Sequence, residues 1–337
     1  MTSKGLERAA ADIEAAGRVM VTSHLGPDGD GVGSMVALAS ILRERGQRVT
    51  VYSPDLIPRA LKWLPHAKRG VVHKLGEHSR FDVTVVVDCG DEKLLGRSFP
   101  GPEVTGRVIA LDHHARGAAF GDLYVCDPEA ASTGVLIARM AQGRGWPLPP
   151  AAALGLYVSI AADTGFFRYS NTNAEALRLA AWCVGEGGVD PGIVSERMNE
   201  RNRLSRYRLL SAALATVETT LGGRVAFMTV TREMVQAARA SWDDTDGLPN
   251  YVRAIEGVEC GVLLTPAKQG GIRVSLRSKG AVIDAAAVCA ELGGGGHRGA
   301  AGCTLPGEDL GEAKARVRAA LAAALGEGAK AGEGEGE

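Results

Sequence analysis

The first half of the chain alternates short β-branched runs with stretches of helical apolar spacing, and this alternation restricts the fold more than any other feature. Residues 18–22 (RVMVT), 48–52 (RVTVY), 83–87 (VTVVV) and 107–111 (RVIAL) read as buried strands, whereas 35–45, 133–142 and 151–162 carry helical spacing. Strands interleaved with helices predict a parallel sheet, because parallel neighbours are joined by crossovers whose helices cover the sheet. The half ending near Glu186 is therefore expected to be one α/β domain, a parallel sheet with helices on both faces.

From 191 to 219 the sequence is rich in Arg and helix formers and is closed by Gly222-Gly223, which reads as a helical connector. Strand-like runs at 224–230, 259–265 and 272–276 and helix-like runs at 231–240, 282–292 and 308–325 then predict a second, smaller α/β domain. The expected division is a first domain at 1–186, a connector at 187–222, a second domain at 223–326 and a disordered tail at 327–337, where there is too little apolar surface to bury. A length of 337 residues suits two domains, and an apolar fraction of 45% suffices for two cores.

Charge and cysteine usage narrow the function classes. Lys plus Arg (38) nearly balances Asp plus Glu (39), which argues against a stable complex with long nucleic acid held by a large positive field. A nucleic-acid partner would be short or held locally. The six cysteines are scattered without a Cys-x-x-Cys pair, which fits reduced thiols and a cytoplasmic protein. The N-terminal MTSKGLERAAADIEAAG has charges throughout, and no run reaches the ~18 apolar residues of a membrane span, so neither export nor membrane insertion is expected.

The chemistry is carried by acidic residues and histidines at the ends of the strand-like runs. His24, Asp28 and Asp30 follow the first, Asp88 caps the third, and Asp112-His113-His114 cap the fourth; Asp163 ends the helix-like stretch at 151–162. In an open parallel sheet, the loops leaving the carboxyl ends of the strands line one crevice, so these distant segments would deliver their side chains to one place. Any single Asp after a strand could equally be a turn former or a helix N-cap. Together they make a donor set of carboxylates with a minority of imidazoles and no thiolate, which favours Mn²⁺, with Mg²⁺ or Co²⁺ as substitutes. Six ligands exceed the needs of one ion with open positions, which implies two ions sharing a bridging carboxylate, spaced ~3.5–4 Å as in two-metal phosphoryl displacement.

Four blocks, HLGPDGDGVGS from His24, VVVDCGD ending at Asp91, LDHH from Leu111 and ADTGFFRYSNT from Ala162, occur in this order, and GGGGHRGAAG from Gly293 follows. In these residues the chain resembles the DHH superfamily of phosphoesterases, named for the triplet Asp112-His113-His114, and the last block resembles the signature of the DHHA1 domain. The two domains cover nearly the whole chain except the tail. The resemblance implies one ion held by His24, Asp28 and Asp88 and another by Asp30, Asp88, His113 and Asp163, with Asp88 as the bridge. It implies catalytic roles for Asp88, for Asp112 as an orienter of the neighbouring imidazoles, and for His114 as a phosphate-facing group. Gly26, where the family more often has Asn or a similar residue, departs from the pattern without removing a ligand.

Size and domain pairing resemble the stand-alone oligoribonuclease and pAp-phosphatase branch. This implies hydrolysis of oligoribonucleotides of about two to five nucleotides to 5'-mononucleotides, and of 3'-phosphoadenosine 5'-phosphate (pAp) to AMP. The alternative is a phosphodiesterase for cyclic di-AMP or a linear dinucleotide. A single-strand DNA exonuclease would be longer, and a family II pyrophosphatase would lack the GGGGH block. A binding module without catalysis would be expected to have lost some ligands. Family members are often homodimers; the apolar run at 151–162 could supply an interface or be a buried core helix.

On the substrate side, Gly294, Gly295 and Gly296 with His297 and Arg298 could form a backbone nest for a phosphate or terminal nucleotide; the bland reading is a flexible linker. Arg168 could contact a phosphate or ribose, or be a solvated loop residue. Arg197, Arg201, Arg203, Arg206 and Arg208 could guide a nucleotide backbone, but the interleaved Glu196 and Glu200 suit a salt-bridged face. Phe166, Phe167 and Tyr169 could pack on a base or belong to the core.

Overall fold

The computed structural model describes residues 2–326 apart from 69, 115, 116, 268, 269, 281 and 308, with the backbone alone of Thr2 and His297. The tail expected to be disordered, 327–337, lies outside the described residues. The chain divides into two compact units, Met1–Arg201 and Asn202–Glu337.

In the first unit β1 (Arg18–Thr22), β2 (Arg48–Tyr52), β3 (Val71–Val72), β4 (Val83–Val87), β5 (Arg107–Asp112) and β6 (Leu123–Cys126) form one sheet in the order β3-β2-β1-β4-β5-β6, every pair parallel. The chain moves outward one way from β1 and the other way from β4. The β1/β4 seam is therefore the point where the winding reverses, and a crevice opens there beyond the carboxyl ends. Asp82 fixes this seam: its Oδ2 accepts the N–H groups of Gly17 (2.9 Å) and Arg18 (2.8 Å).

Strand residues alternate between two cores, as a sheet covered on both sides requires. Val19, Val21, Val85, Val87, Ile109 and Leu111 join the main core with α1 (Thr2–Ala15) and α2 (Gly29–Glu44). The shorter covering of the other face, over Met20, Val86 and Ala110, includes the single turn α3 (Pro102–Thr105). The main core is completed by α4 (Thr133–Arg144), α5 (Pro150–Asp163) and α6 (Ala174–Gly185). From Leu156 to Ala161, α5 is buried throughout, so its apolar run is explained by the core. Helix α2 starts six residues before the expected position 35, because Asp28 caps it. The unit ends in α7 (Pro191–Ser195) and a π-helical turn, Glu196–Glu200.

The second unit holds α8 (Leu204–Leu214), β7 (Glu218–Thr220), β8 (Val225–Thr229), α9 (Arg232–Ala238), α10 (Pro249–Arg253), β9 (Cys260–Pro266), β10 (Ile272–Ser278), α11 (Ala285–Glu291), β11 (Gly295–His297), β12 (Ala300–Leu305) and α12 (Leu310–Ala324). Its sheet runs β11-β12-β10-β9-β8-β7, antiparallel except for the β8/β9 pair. One face packs against α11 and α12, the other against α8, α9 and α10. Among the described residues no helix is long and apolar enough to cross a membrane.

Candidate metal centre

The first strand leads into a loop in which Asp28 turns back on its own helix. Its Oδ1 accepts the N–H of Asp30 (2.9 Å) and of Gly31 (3.2 Å), so the N-cap role is real and leaves the second oxygen to face the crevice. At Gly31 a Cβ would stand 2.5 Å from Ser23 Oγ, so glycine lets the helix start this close to the residue that follows β1. Asp88, the residue after β4, has φ 56°, a left-handed conformation that Asp tolerates better than most residues. Strain of this kind concentrates at functional sites. Its N–H is bound to Leu111 O at 2.9 Å, which ties the end of β4 to that of β5.

Three sets of ligand atoms, each within 4.8 Å of one another, emerge from these ends: His24, Asp28 and Asp88; Asp30, His113 and Asp163; and Asp88, His113 and His114. The sets overlap at Asp88 and His113, so they form one cluster. His113 Nε2 lies 2.9 Å from Asp163 Oδ2, 3.5 Å from Asp30 Oδ2 and 3.8 Å from Asp88 Oδ1, while His24 Nε2 lies 3.5 Å from Asp88 Oδ2. The other ring nitrogens are oriented by main-chain carbonyls. His113 Nδ1 is 3.1 Å from Ala130 O and His24 Nδ1 is 2.8 Å from Leu25 O, an arrangement that turns both Nε2 atoms to the cluster.

Asp30 is the most firmly held member. Fully buried, it accepts Ser34 Oγ (2.9 Å) and Ser159 Oγ (2.5 Å) on Oδ1, and the amides of Thr133 (2.7 Å) and Gly134 (3.3 Å) at the start of α4. A carboxylate at a helix N-terminus is stabilised by the exposed amides and the helix dipole.

The cluster carries more negative charge than the protein's own groups neutralise. Burial, then Asp30 and Asp28, push Asp88 up to about 8, and burial pushes Asp163 up to about 6 even though His113 pulls the other way. Burial opposes a charge on His24, but Asp88 and Asp28 outweigh it and raise the imidazole to about 9. His113 is likewise raised well above its ordinary value, with Asp163, Asp30 and Asp88 overcoming its burial. Shared protons are one way to hold such a cluster together. A divalent cation does the same without them, and a donor set of carboxylate oxygens and imidazole nitrogens fits one.

Two family models match the chain in order: the DHH family, N-terminal domain, over residues 18–160 and the DHHA1 domain over residues 222–323. A bifunctional oligoribonuclease and PAP phosphatase NrnA from Thermus thermophilus is 34% identical over 307 residues, which is 90% of this chain and 89% of that protein. The chain belongs to the DHH family. A second DHH relative, the Bacillus subtilis protein of the same name, is 25% identical and covers 85% of this chain and 89% of its own. Among solved structures, an exopolyphosphatase-related protein from Bacteroides fragilis matches with a TM-score of 0.85 at 25% identity, covering 96% of each chain. DHH phosphoesterases are hydrolases, and the α/β architecture with two sheets agrees with that assignment.

The remaining candidates of this DHH protein are not members of the three ligand sets. Arg168, exposed beyond Asp163, is anchored through Nε to Gly165 O at 2.7 Å. It leaves a left-handed turn in which Gly165, Phe166 and Phe167 have φ 57°, 58° and 63°. Phe166 and Phe167 pack against the main core. Gly294, Gly295, Gly296, His297 and Arg298 belong to the second unit. There Gly295–His297 form β11 at the sheet edge, Gly294 N–H is bound to Cys289 O (2.7 Å) and Arg298 O accepts Ala285 N–H (2.9 Å). In the arginine run, Arg201 pairs with Glu196 at 2.9 Å and Arg206 spends its guanidinium on the carbonyls of Asp244 and Asp246, both at 2.5 Å.

Ser34 and Ser159, which hold Asp30, and Tyr124, which donates to Asp112, are absent from the sequence-derived set. Ser159 had a signal: it is the lone serine in an apolar helix and sits four residues before Asp163, on the same face. Tyr124 had none, because its partner lies on a neighbouring strand.

Proposed function

We propose that this protein is a two-metal phosphoesterase that hydrolyses short oligoribonucleotides to 5'-mononucleotides and pAp to AMP. The observation that carries the reading is the single cluster in which Asp88 and His113 each serve more than one ligand set, in a chain whose relatives are named oligoribonuclease and PAP phosphatase over most of their length. In this reading His24, Asp28 and Asp88 hold one Mn²⁺ and Asp30, Asp88, His113 and Asp163 hold the other, with Mg²⁺ or Co²⁺ as substitutes. Bound cations would supply a nucleophile at neutral pH and stabilise the phosphoryl oxygens.

The chain's own residues do the rest. Asp30, fixed by four donors, cannot rotate away and sets the position of the imidazole opposite it. His114 Nδ1 donates a hydrogen bond to Asp112 Oδ1 at 2.6 Å, and in this reading the ring is thereby held with Nε2 towards the substrate phosphate. Arg168 and the segment Gly294–Arg298 are the proposed binding groups: a guanidinium for phosphate, and edge-strand amides unobstructed by side chains for the substrate's end. The net charge of −1 suits substrates recognised by such local contacts.

Turnover of pAp, a 5'-phosphorylated dinucleotide, cyclic di-AMP and long single-stranded DNA, each with Mn²⁺ and beside a metal-content measurement, tests the reading. The first two should be the preferred substrates, with two ions bound per chain. Preference for cyclic di-AMP would move the protein to the cyclic-dinucleotide branch, and preference for long DNA would reject the assignment. Asp88→Ala should abolish turnover with the fold retained; persistent activity would show the ligand set to be wrong.

A further inference from the structure

The proposed metal ligands leave one wholly buried carboxylate of the crevice, Asp112, to be explained. Its two oxygens are divided between two partners: Oδ1 lies 2.6 Å from His114 Nδ1, and Oδ2 accepts the Tyr124 hydroxyl at 2.7 Å. Tyr124 stands opposite Ala110 in the β5/β6 register, and Asp112, two residues further along β5, projects to the same face of the sheet. The tyrosine therefore reaches along its own face to the end of the neighbouring strand.

The surroundings are cut to this chain of three residues. A Cβ on Gly117 would lie 2.9 Å from the Tyr124 hydroxyl, and a Cβ on Gly90 would lie 3.2 Å from Asp112 Oδ2 and 3.3 Å from His114 Cβ. Two glycines from different loops thus leave room for the hydroxyl, the carboxylate and the imidazole. The Cys126 thiol, 3.4 Å from His114 O, steadies the histidine's main chain from β6 as well.

We propose that Tyr124 is a positioning residue for the phosphoesterase reaction: its hydroxyl locks the Asp112 carboxylate so that Asp112 holds His114 with the proton on Nδ1 and Nε2 directed to the reacting phosphate. The inference rests on the hydrolase reading above. A carboxylate has a broad, two-fold torsion about its last bond. Held at one oxygen only it swings, and the imidazole it orients swings with it. With the second oxygen occupied by Tyr124, rotation breaks two hydrogen bonds at once. Outer partners of this kind typically change function about 10- to 100-fold when removed.

Tyr124→Phe in the full-length, Mn²⁺-loaded protein removes the hydroxyl and keeps the ring, whose centroid lies 6.0 Å from that of Phe120. With pAp, kcat should fall roughly 10-fold or more while KM stays within about twofold, and the metal content should not change. In an Asp112→Asn background the same change should cost nothing further, since Tyr124 acts through Asp112. Nitrogen-15 imidazole spectra of the Mg²⁺-loaded protein, which lacks the paramagnetic broadening of Mn²⁺, add a readout that needs no turnover: His114 should be one Nδ1–H tautomer in the natural protein and a mixture in Tyr124→Phe. Unchanged kcat with an unchanged tautomer, or a loss that adds to that of Asp112→Asn, would overturn the proposal. A natural protein inactive on both pAp and the dinucleotide would instead overturn the hydrolase reading, and the tautomer comparison would still decide the role of Tyr124.

Discussion

Asp88→Asn should make the metal-free protein more stable, even though it removes the residue on which both metal sites depend. Asp88 is 2% exposed, and burial with Asp30 and Asp28 beside it lifts its carboxyl from the ordinary 3.8 to about 8. A carboxyl whose folded value lies above its unfolded one binds its proton more tightly in the fold. Its ionisation therefore costs nothing below about pH 4, costs more as pH rises, and reaches its full cost above about pH 8. A difference of about four pH units at about 1.4 kcal/mol each sets a ceiling of roughly 5–6 kcal/mol. That value already contains the pull of His24; adjustment of the buried surroundings to the charge lowers the cost further, and about half, roughly 2–3 kcal/mol, is expected. Asparagine has the same shape, tolerates φ 56°, and gives up no contact shorter than the 3.5 Å to His24. In EDTA at pH 8, Asp88→Asn should therefore melt about 5–10 °C above the natural protein, by the 2–4 °C per kcal/mol of a unit this size. Calorimetry across pH should show the gap closing towards pH 4, where both side chains are neutral. Adding Mn²⁺ should reverse the order, because only the natural protein gains the full binding free energy. A variant that melts at or below the natural protein in EDTA at pH 8, or a gap indifferent to pH, would refute the reasoning.

The same chemical change at Asp30 should have the opposite sign. An Asn amide there would point a donor at groups that already donate, so Asp30→Asn should lower metal-free stability by about 2–3 kcal/mol in urea unfolding, and equal stability would contradict the four-donor description. Gly165→Ala combines φ 57° with a Cβ only 2.3 Å from the Tyr169 ring, so it should destabilise by about 2–4 kcal/mol and cut kcat by displacing the turn next to Asp163; a neutral effect on both would show that the turn is not constrained. Gly294→Ala would set a Cβ 2.2 Å from Gly302 O, so it should raise KM for pAp several-fold with metal content unchanged, and an unaltered KM would remove the glycine segment from the binding site.

The four core strands were legible because each is a β-branched run bounded by turn residues, and burial on both faces writes such a run plainly. β3 has two residues and β6 only four, too few for a period to show. β11 and β12 are spelled largely with Gly and Ala, whose β-propensity is low; what makes them strands is pairing, Gly295 opposite Gly302 and Leu305 opposite Ile272. The same distinction separates the legible part of the site from the rest. Carboxylates at strand ends announce themselves because topology alone carries them to one crevice. The hydroxyls that hold them, Ser34, Ser159 and Tyr124, depend on which elements become neighbours, and that information lies in the packing.

One such packing decision governs the centre. Asp30 begins its service one residue into α2 and Asp163 ends α5, so the two can share His113 only if these helices run nearly in contact. Gly33 and Gly155 permit it: a Cβ on the first would lie 2.6 Å from the other's carbonyl oxygen, and a Cβ on the second 2.5 Å from the first's. One turn along, Ser159 then reaches Asp30 at 2.5 Å, and its helix delivers Asp163 to within 2.9 Å of His113. An alanine at either glycine would have to move the helices apart by roughly 0.8–0.9 Å to bring those contacts back to van der Waals distance, enough to stretch hydrogen bonds of this length to their limit. The glycines a turn or two along from the carboxylates are thus as much a condition of the cluster as the carboxylates themselves, because the spacing of the ligands is set by how closely two helices can approach.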